Sequence, residues 1–175
     1  HTVRTLREPG GTESGESIRH LLKHGPEELT AEAELLLMNA SRAQLVREVI
    51  RPALAAGEVV LCDRFYDSTT VYQGTGRGLD AAEVQAVIDF AVGDVRPDLT
   101  LLLQIPLKTS EERRARRSET DRFEQADRTF FERIEAGYTA LAAAEPARIR
   151  VIEADQPLDT VAAAIWRIVS DRLKK

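Results

Sequence analysis

The chain has 175 residues, 43% hydrophobic and 30% charged, with a net charge of -5, enough for one substantial core without disulfide staples. An acidic total excludes a general nucleic-acid or membrane-surface role, and no apolar stretch nears the ~20 residues that cross a bilayer. The single cysteine, Cys62, is expected to be a small core residue of a cytoplasmic protein, since it cannot form an internal disulfide.

Thr2 to Leu6 is short and weakly alternating, as a strand would be, and Pro9-Gly10-Gly11 stops it. Ser14 is expected to cap the next helix, which carries Ile18, Leu21 and Leu22 on one side and ends at Gly25-Pro26. Thr30 opens a longer helix whose apolar positions between Ala31 and Ile50 exceed one stripe. Its second buried side is either core or a partner subunit. Met38 and Arg42 share one face of that helix, an apolar platform beside a donor fork. The pair suits a flat heterocycle, although such neighbours also occur as plain packing. Pro52 and Gly57 are expected to close the helix.

Val59 to Gly78, VVLCDRFYDSTTVYQGTGRG, organises the chain. Val59 to Cys62 is expected to be a buried parallel strand delivering Asp63 and Arg64 to its C-terminal edge, where ligands bind in open α/β sheets. A carboxylate there can hold magnesium, directly or through water, and the guanidinium can grip a phosphate. The competing reading is an ordinary strand end with a surface ion pair. DSTTVYQ is expected to form a helical turn, and the glycines of GTGRG to open backbone conformations closed to other residues.

Asp80 caps a helix bearing Val84, Val87, Ile88 and Ala91, and Leu99 to Ile105 reads as a second buried strand. Arg113, Arg114, Arg116 and Arg117 cluster just beyond it. They form either a solvated helix face or a lid whose arginines neutralise moving phosphoryl charge. A helix from about Asp127 to Ala144, a strand from Ile149 to Ile152 and a helix from Pro157 to Leu173 complete the chain. There is no internal repeat and no second domain in the sequence pattern; alternating strands and helices call for a three-layer α/β fold around a parallel sheet.

REPGGT at Arg7 to Thr12, NASR at Asn39 to Arg42, CDRFYDST with YQGTGRG, PDLTLLL at Pro97 to Leu103 and ADQPL at Ala154 to Leu158 together resemble thymidylate kinase over essentially the whole chain. That family phosphorylates dTMP with ATP and is similar in fold to the P-loop nucleoside monophosphate kinases. The resemblance implies a three-layer α/β/α domain over residues 1–175 with a lid at about 107–125, magnesium as cofactor and a homodimer. By the same resemblance Arg64 binds the dTMP phosphate with Asp63 near the metal, and Arg42 meets the thymine edge. Thr69 and Gln73 position the base, while Tyr72 lies against the deoxyribose. Glu8 and Arg19 resemble further substrate-side residues, Arg113 and Arg117 the lid, and Ala154, Asp155, Gln156 and Pro157 the loop bordering adenine.

Two departures stand out. Met38 occupies the position where the family commonly stacks phenylalanine on thymine, and no G-x-x-x-x-G-K-[ST] occurs in the 175 residues. That loop's amides and lysine hold the ATP phosphates. The expectation is that the strand, phosphate loop and first helix preceding His1 are missing, and that the 175 residues alone are inactive and poorly folded. The alternatives are a kinase for another deoxynucleoside monophosphate, or a non-catalytic nucleotide-binding or dimerisation module.

Overall fold

The computed structural model describes residues 1–25, 29–116 and 127–174. The chain divides into two compact units, His1–Arg96 with Asp121–Ile134, and Pro97–Thr120 with Glu135–Lys175.

In the first unit, β1 (Val3–Arg7) and β2 (Val59–Asp63) pair in parallel, with Val3 opposite Val59 and Arg7 opposite Asp63. Both strands therefore end at one level, and the Glu8 amide continues the ladder to the Asp63 carbonyl at 3.0 Å. Helix α1 (Glu13–His24) follows β1. Its cap is Thr12, whose hydroxyl accepts from the Gly15 amide, and not Ser14 as expected. The Pro-Gly-Gly turn delivers Thr12 in extended geometry, the backbone state a cap needs.

Helix α2 (Ala31–Leu45) is capped by Thr30 as read from the sequence. It runs on through a π-helical turn, Val46–Ile50, into α3 (Arg51–Ala55). Pro52 therefore does not end the helix. It falls in the first turn after the π segment, where a missing N–H is tolerated. The stop comes at Gly57, with φ of 74°.

The core of this unit is the seam between that helix and α5 (Ala81–Val92): Leu35, Leu45, Val46 and Ile50 meet Val84, Ile88 and Val92. Each fully buried aliphatic side chain here contributes about 1.5–3 kcal/mol. Asp80 caps α5 through the Ala82 and Glu83 amides. At the far end of α5, Arg47 of the π-helical turn donates to the Ala91 carbonyl at 2.8 Å, so that turn also secures the terminus.

After β2 the chain forms α4 (Tyr66–Thr69) and a π-helical segment, Thr70–Gly76. The GTGRG glycines differ from expectation, because Gly74 and Gly76 are helical and only Gly78 has positive φ, 78°. Gly76 is needed for closeness: a Cβ there would lie 2.8 Å from Phe130 Cε2 and from Ile134 Cδ1. Those two residues come from α7 (Arg128–Ala144), after α6 (Leu107–Ala115) in the chain, and α7 contributes residues 128–134 to the first unit.

In the second unit, β3 (Thr100–Gln104) pairs in parallel with β4 (Ile149–Glu153), and the Ala154 amide donates to the Gln104 carbonyl at 2.8 Å. Helix α8 (Leu158–Leu173) packs on β4 with Val161 buried. β2 and β3 were expected to be buried strands, yet Leu61 is 56% and Leu103 52% exposed. Each sheet among the described residues has only two strands, so a strand has one paired edge and incomplete cover on its faces.

Candidate active site

The turn after β1 carries Glu8 into the interior. Its carboxylate Oε2 accepts from Arg42 Nε at 2.7 Å, and each of the two side chains is 3% exposed. Burial pushes the Glu8 carboxyl up from its ordinary range, while the Arg42 guanidinium pulls the other way. Arg42 Nη1 donates to Asn39 Oδ1 at 2.8 Å, and Asn39 in turn donates to the Leu35 carbonyl. The guanidinium also lies 5.6 Å from the centroid of the Phe65 ring. Arg42 is thus fixed on three sides by the protein, and Met38, half-buried, sits one helical turn before it. Glu8 Oε1 is buried and accepts no hydrogen bond from a described residue.

The end of β2 behaves differently. Asp63 is exposed, and Arg64 has φ of 66°, the only positive value at a non-glycine among the described residues. The thiol of Cys62 donates to the Arg64 carbonyl at 3.1 Å, bracing this kink. Cys62 is half-buried in place of the core position expected for it, and desolvation pushes its thiol up to about 12. The Arg64 guanidinium lies over the Tyr72 ring at 5.1 Å and donates to its hydroxyl at 3.4 Å. Strained backbone at a strand terminus concentrates at functional positions. Tyr72 in turn meets Phe130 edge-on at 6.1 Å between centroids.

Thr69 and Gln73 occupy successive turns of the helical segment after β2, and both are buried. Gln73 Nε2 donates to Glu34 Oε1 at 2.7 Å. Arg77 grips the same carboxylate with Nε at 3.3 Å and Nη2 at 3.1 Å, and also covers the Phe130 ring at 4.9 Å. Glu34, Arg77, Asn39 and Phe65 carry this network and were not among the residues singled out from the sequence. The available signal was spacing: Glu34, Met38 and Arg42 stand at i, i+4 and i+8 on α2. Arg19, the other substrate-side candidate, donates to the Pro9 carbonyl at 2.8 Å and steadies the turn.

In the second unit, Asp155 accepts from Thr109 at 3.1 Å and from Arg113 at 3.4 Å, joining the start of the expected lid to the ADQP loop. Ala154 is half-buried, and Gln156 and Pro157 are exposed. Arg117 lies outside the described residues.

Among the described residues no group of three or more His, Cys, Asp or Glu is placed to hold a metal ion. Magnesium does not require one, since it keeps waters and binds one or two carboxylates together with substrate phosphates. The exposed Asp63 carboxylate fits that donor set.

Parallel strands ending in a carboxylate and a kinked arginine, beside a helix face of buried polar groups, are the strand-edge setting in which α/β proteins bind nucleotides. The sequence family described as thymidylate kinase matches residues 1–165. The thymidylate kinase of Alcanivorax borkumensis is 49% identical over 97% of this chain and 82% of its own length. That of Deinococcus radiodurans is 46% identical over 98% of this chain and 84% of its own. A crystal structure of thymidylate kinase from Ehrlichia chaffeensis superposes with a TM-score of 0.79 at 30% identity, covering 97% of this chain and 81% of that one. The chain belongs to the thymidylate kinase family, and the likeness in structure assigns it the three-layer α/β/α kinase fold expected from its sequence.

Proposed function

We propose that this protein transfers the γ-phosphoryl group of ATP to dTMP, giving dTDP and ADP, with the acceptor held by the first unit. The observation that carries the site assignment is the strand end at Asp63 and Arg64, where a left-handed residue projects a guanidinium from the edge of a parallel strand. Arg64 binds the dTMP phosphate and sets its attacking oxygen in line with the donor. Met38 covers one face of the base, Arg42 and Gln73 meet its edge, and Thr69 supports Gln73 from the preceding turn. Tyr72 stands against the deoxyribose, where a 2'-hydroxyl would crowd it, while Glu8 and Arg19 hold the turn that shapes this pocket.

Asp63 would hold magnesium through its carboxylate, and the metal when bound would supply neutralisation of phosphate charge. Arg113 serves the lid: its exposed pair with Asp155 is worth at most about 1 kcal/mol and is easily exchanged for a phosphate oxygen. Arg117 is assigned to the same lid by family resemblance. Ala154, Asp155, Gln156 and Pro157 border the adenine. By family resemblance the working protein is a cytoplasmic homodimer. No helix of the described residues is long and apolar enough to cross a membrane.

The test is ATP- and magnesium-dependent dTDP formation by the full-length protein, compared with dUMP, dCMP and dGMP as acceptors. Preferred turnover of dTMP is expected. Efficient phosphorylation of another nucleotide in its place would overturn the substrate, and dTMP binding without turnover would favour a binding module.

A further inference from the structure

A glutamine amide reads a base in one of two opposite senses, depending on whether its oxygen or its nitrogen faces the ligand. Which sense holds is decided by what occupies the other end. In this protein that end is occupied by Glu34, a side chain on the opposing helix that is 1% exposed. An ionised carboxylate offers acceptors only. The Gln73 nitrogen must therefore turn toward it, as the 2.7 Å contact shows, and the Gln73 oxygen must turn away.

Two further observations make the arrangement one of positioning. Arg77 engages both oxygens of Glu34 and fixes the plane of the carboxylate, and Arg77 is itself held over the Phe130 ring. The Gln73 oxygen, at the opposite end of the amide, is buried and accepts no hydrogen bond from a described residue. A buried carbonyl oxygen left without a donor is costly unless a ligand supplies one. Glu34 also lies on the α2 stripe of Met38 and Arg42, so the amide is pinned beside the residues that face the base.

We propose that Glu34 is a positioning residue for base selection: it locks the Gln73 amide with the carbonyl as the reading atom, so that the site accepts a base presenting an imide N–H and rejects one presenting a ring-nitrogen acceptor. This rests on the assignment of the pocket to a pyrimidine deoxynucleotide. Thymine and uracil carry that N–H at N3, and cytosine carries a lone pair there. Two acceptors facing each other in a dry site cost far more than a missing methyl group, which makes the lock a device of rejection as much as of binding.

The experiment measures dTMP and dCMP binding and turnover for the full-length wild type, Glu34→Gln, Gln73→Ala and the double variant. Glu34→Gln lets the amide turn over, so the dTMP-to-dCMP ratio of kcat/KM should shrink by about tenfold or more. The change should appear mainly in KM, and it should vanish when Gln73 is already alanine. An unchanged ratio with uniformly lower activity or Tm would make Glu34 merely structural and overturn the proposal. So would an equal effect of Glu34→Gln with and without Gln73. Failure of the wild type to prefer dTMP at all would instead remove the pocket assignment. Should Glu34→Gln not fold, side-chain amide NMR of the wild type decides. Gln73 amide protons protected from exchange, with dTMP leaving them in place, support the lock, and freely exchanging protons overturn it.

Discussion

Glu8 and Arg42, one on the turn after β1 and one on α2, form an ion pair of 2.7 Å in which each side chain is only 3% exposed. Removing one member of such a pair strands the other charge, so Glu8→Ala should cost about 3–5 kcal/mol of stability at neutral pH. Because burial raises the Glu8 carboxyl above its unfolded value, its contribution is full below the unfolded value and is lost as pH rises through the folded one. The deficit of Glu8→Ala should therefore widen toward pH ~4. Urea titrations of both proteins from pH 4 to 8 check this, and a constant deficit would refute the linkage.

Arg64 separates catalysis from strain. With Arg64 proposed to hold the acceptor phosphate, both Arg64→Ala and Arg64→Gly should lose on the order of 100-fold or more in kcat/KM, since a phosphate contact and in-line placement would disappear together. The backbone at φ of 66° suits glycine, so Arg64→Gly should be more stable than Arg64→Ala by about 1 kcal/mol. Parallel Tm and steady-state measurements distinguish the two effects. Near-normal turnover of either variant would remove Arg64 from the phosphate site.

Cys62 should be a poor nucleophile in the folded protein. With its thiol pushed up to about 12, the native protein should react with a disulfide reagent at pH 8 at least about tenfold more slowly than the urea-unfolded chain. The raised value also means that Cys62 adds stability below its unfolded value of about 8.5, which drains away as pH climbs toward about 12. Cys62→Ser should flatten that alkaline decline. Fast native labelling would contradict the assigned environment.

Gly76→Ala should destabilise by about 1–3 kcal/mol, because the new methyl meets Phe130 and Ile134 at 2.8 Å without any help from an unusual φ. Restoring room with Phe130→Leu should recover part of the loss. Additive losses in the double variant would place the clash elsewhere.

Much of this was legible in the amino-acid order because it obeys local rules. Thr30 and Asp80 cap as their chemistry directs, and Val84, Ile88 and Ala91 fall on one buried face at helical spacing. Asp63 and Arg64 stand at the strand end where hydropathy breaks. What escaped was decided by distant partners. Nothing near Glu34 announces that Gln73 and Arg77, some forty residues on, will draw it inside. Pro52 looked like a stop because the π-helical turn before it leaves no mark in composition. The exposure of Leu61 and Leu103 reflects how many strands stand side by side, which no window of sequence contains.

The turn from Glu8 to Thr12 has the glycine-rich look of a cradle in which backbone amides wrap an anion, but three of its amides are already engaged. Glu8 N–H points at the Asp63 carbonyl, Gly10 N–H at the Ser41 hydroxyl and Gly11 N–H at the Glu16 carboxylate. The Pro9 carbonyl is held by Arg19, and proline has no N–H to offer. Those three amides are not left to wrap an anion, and they tie the turn to β2, α2 and α1. The ordering entropy of these residues is spent during folding, so a ligand that meets this turn would not have to order it.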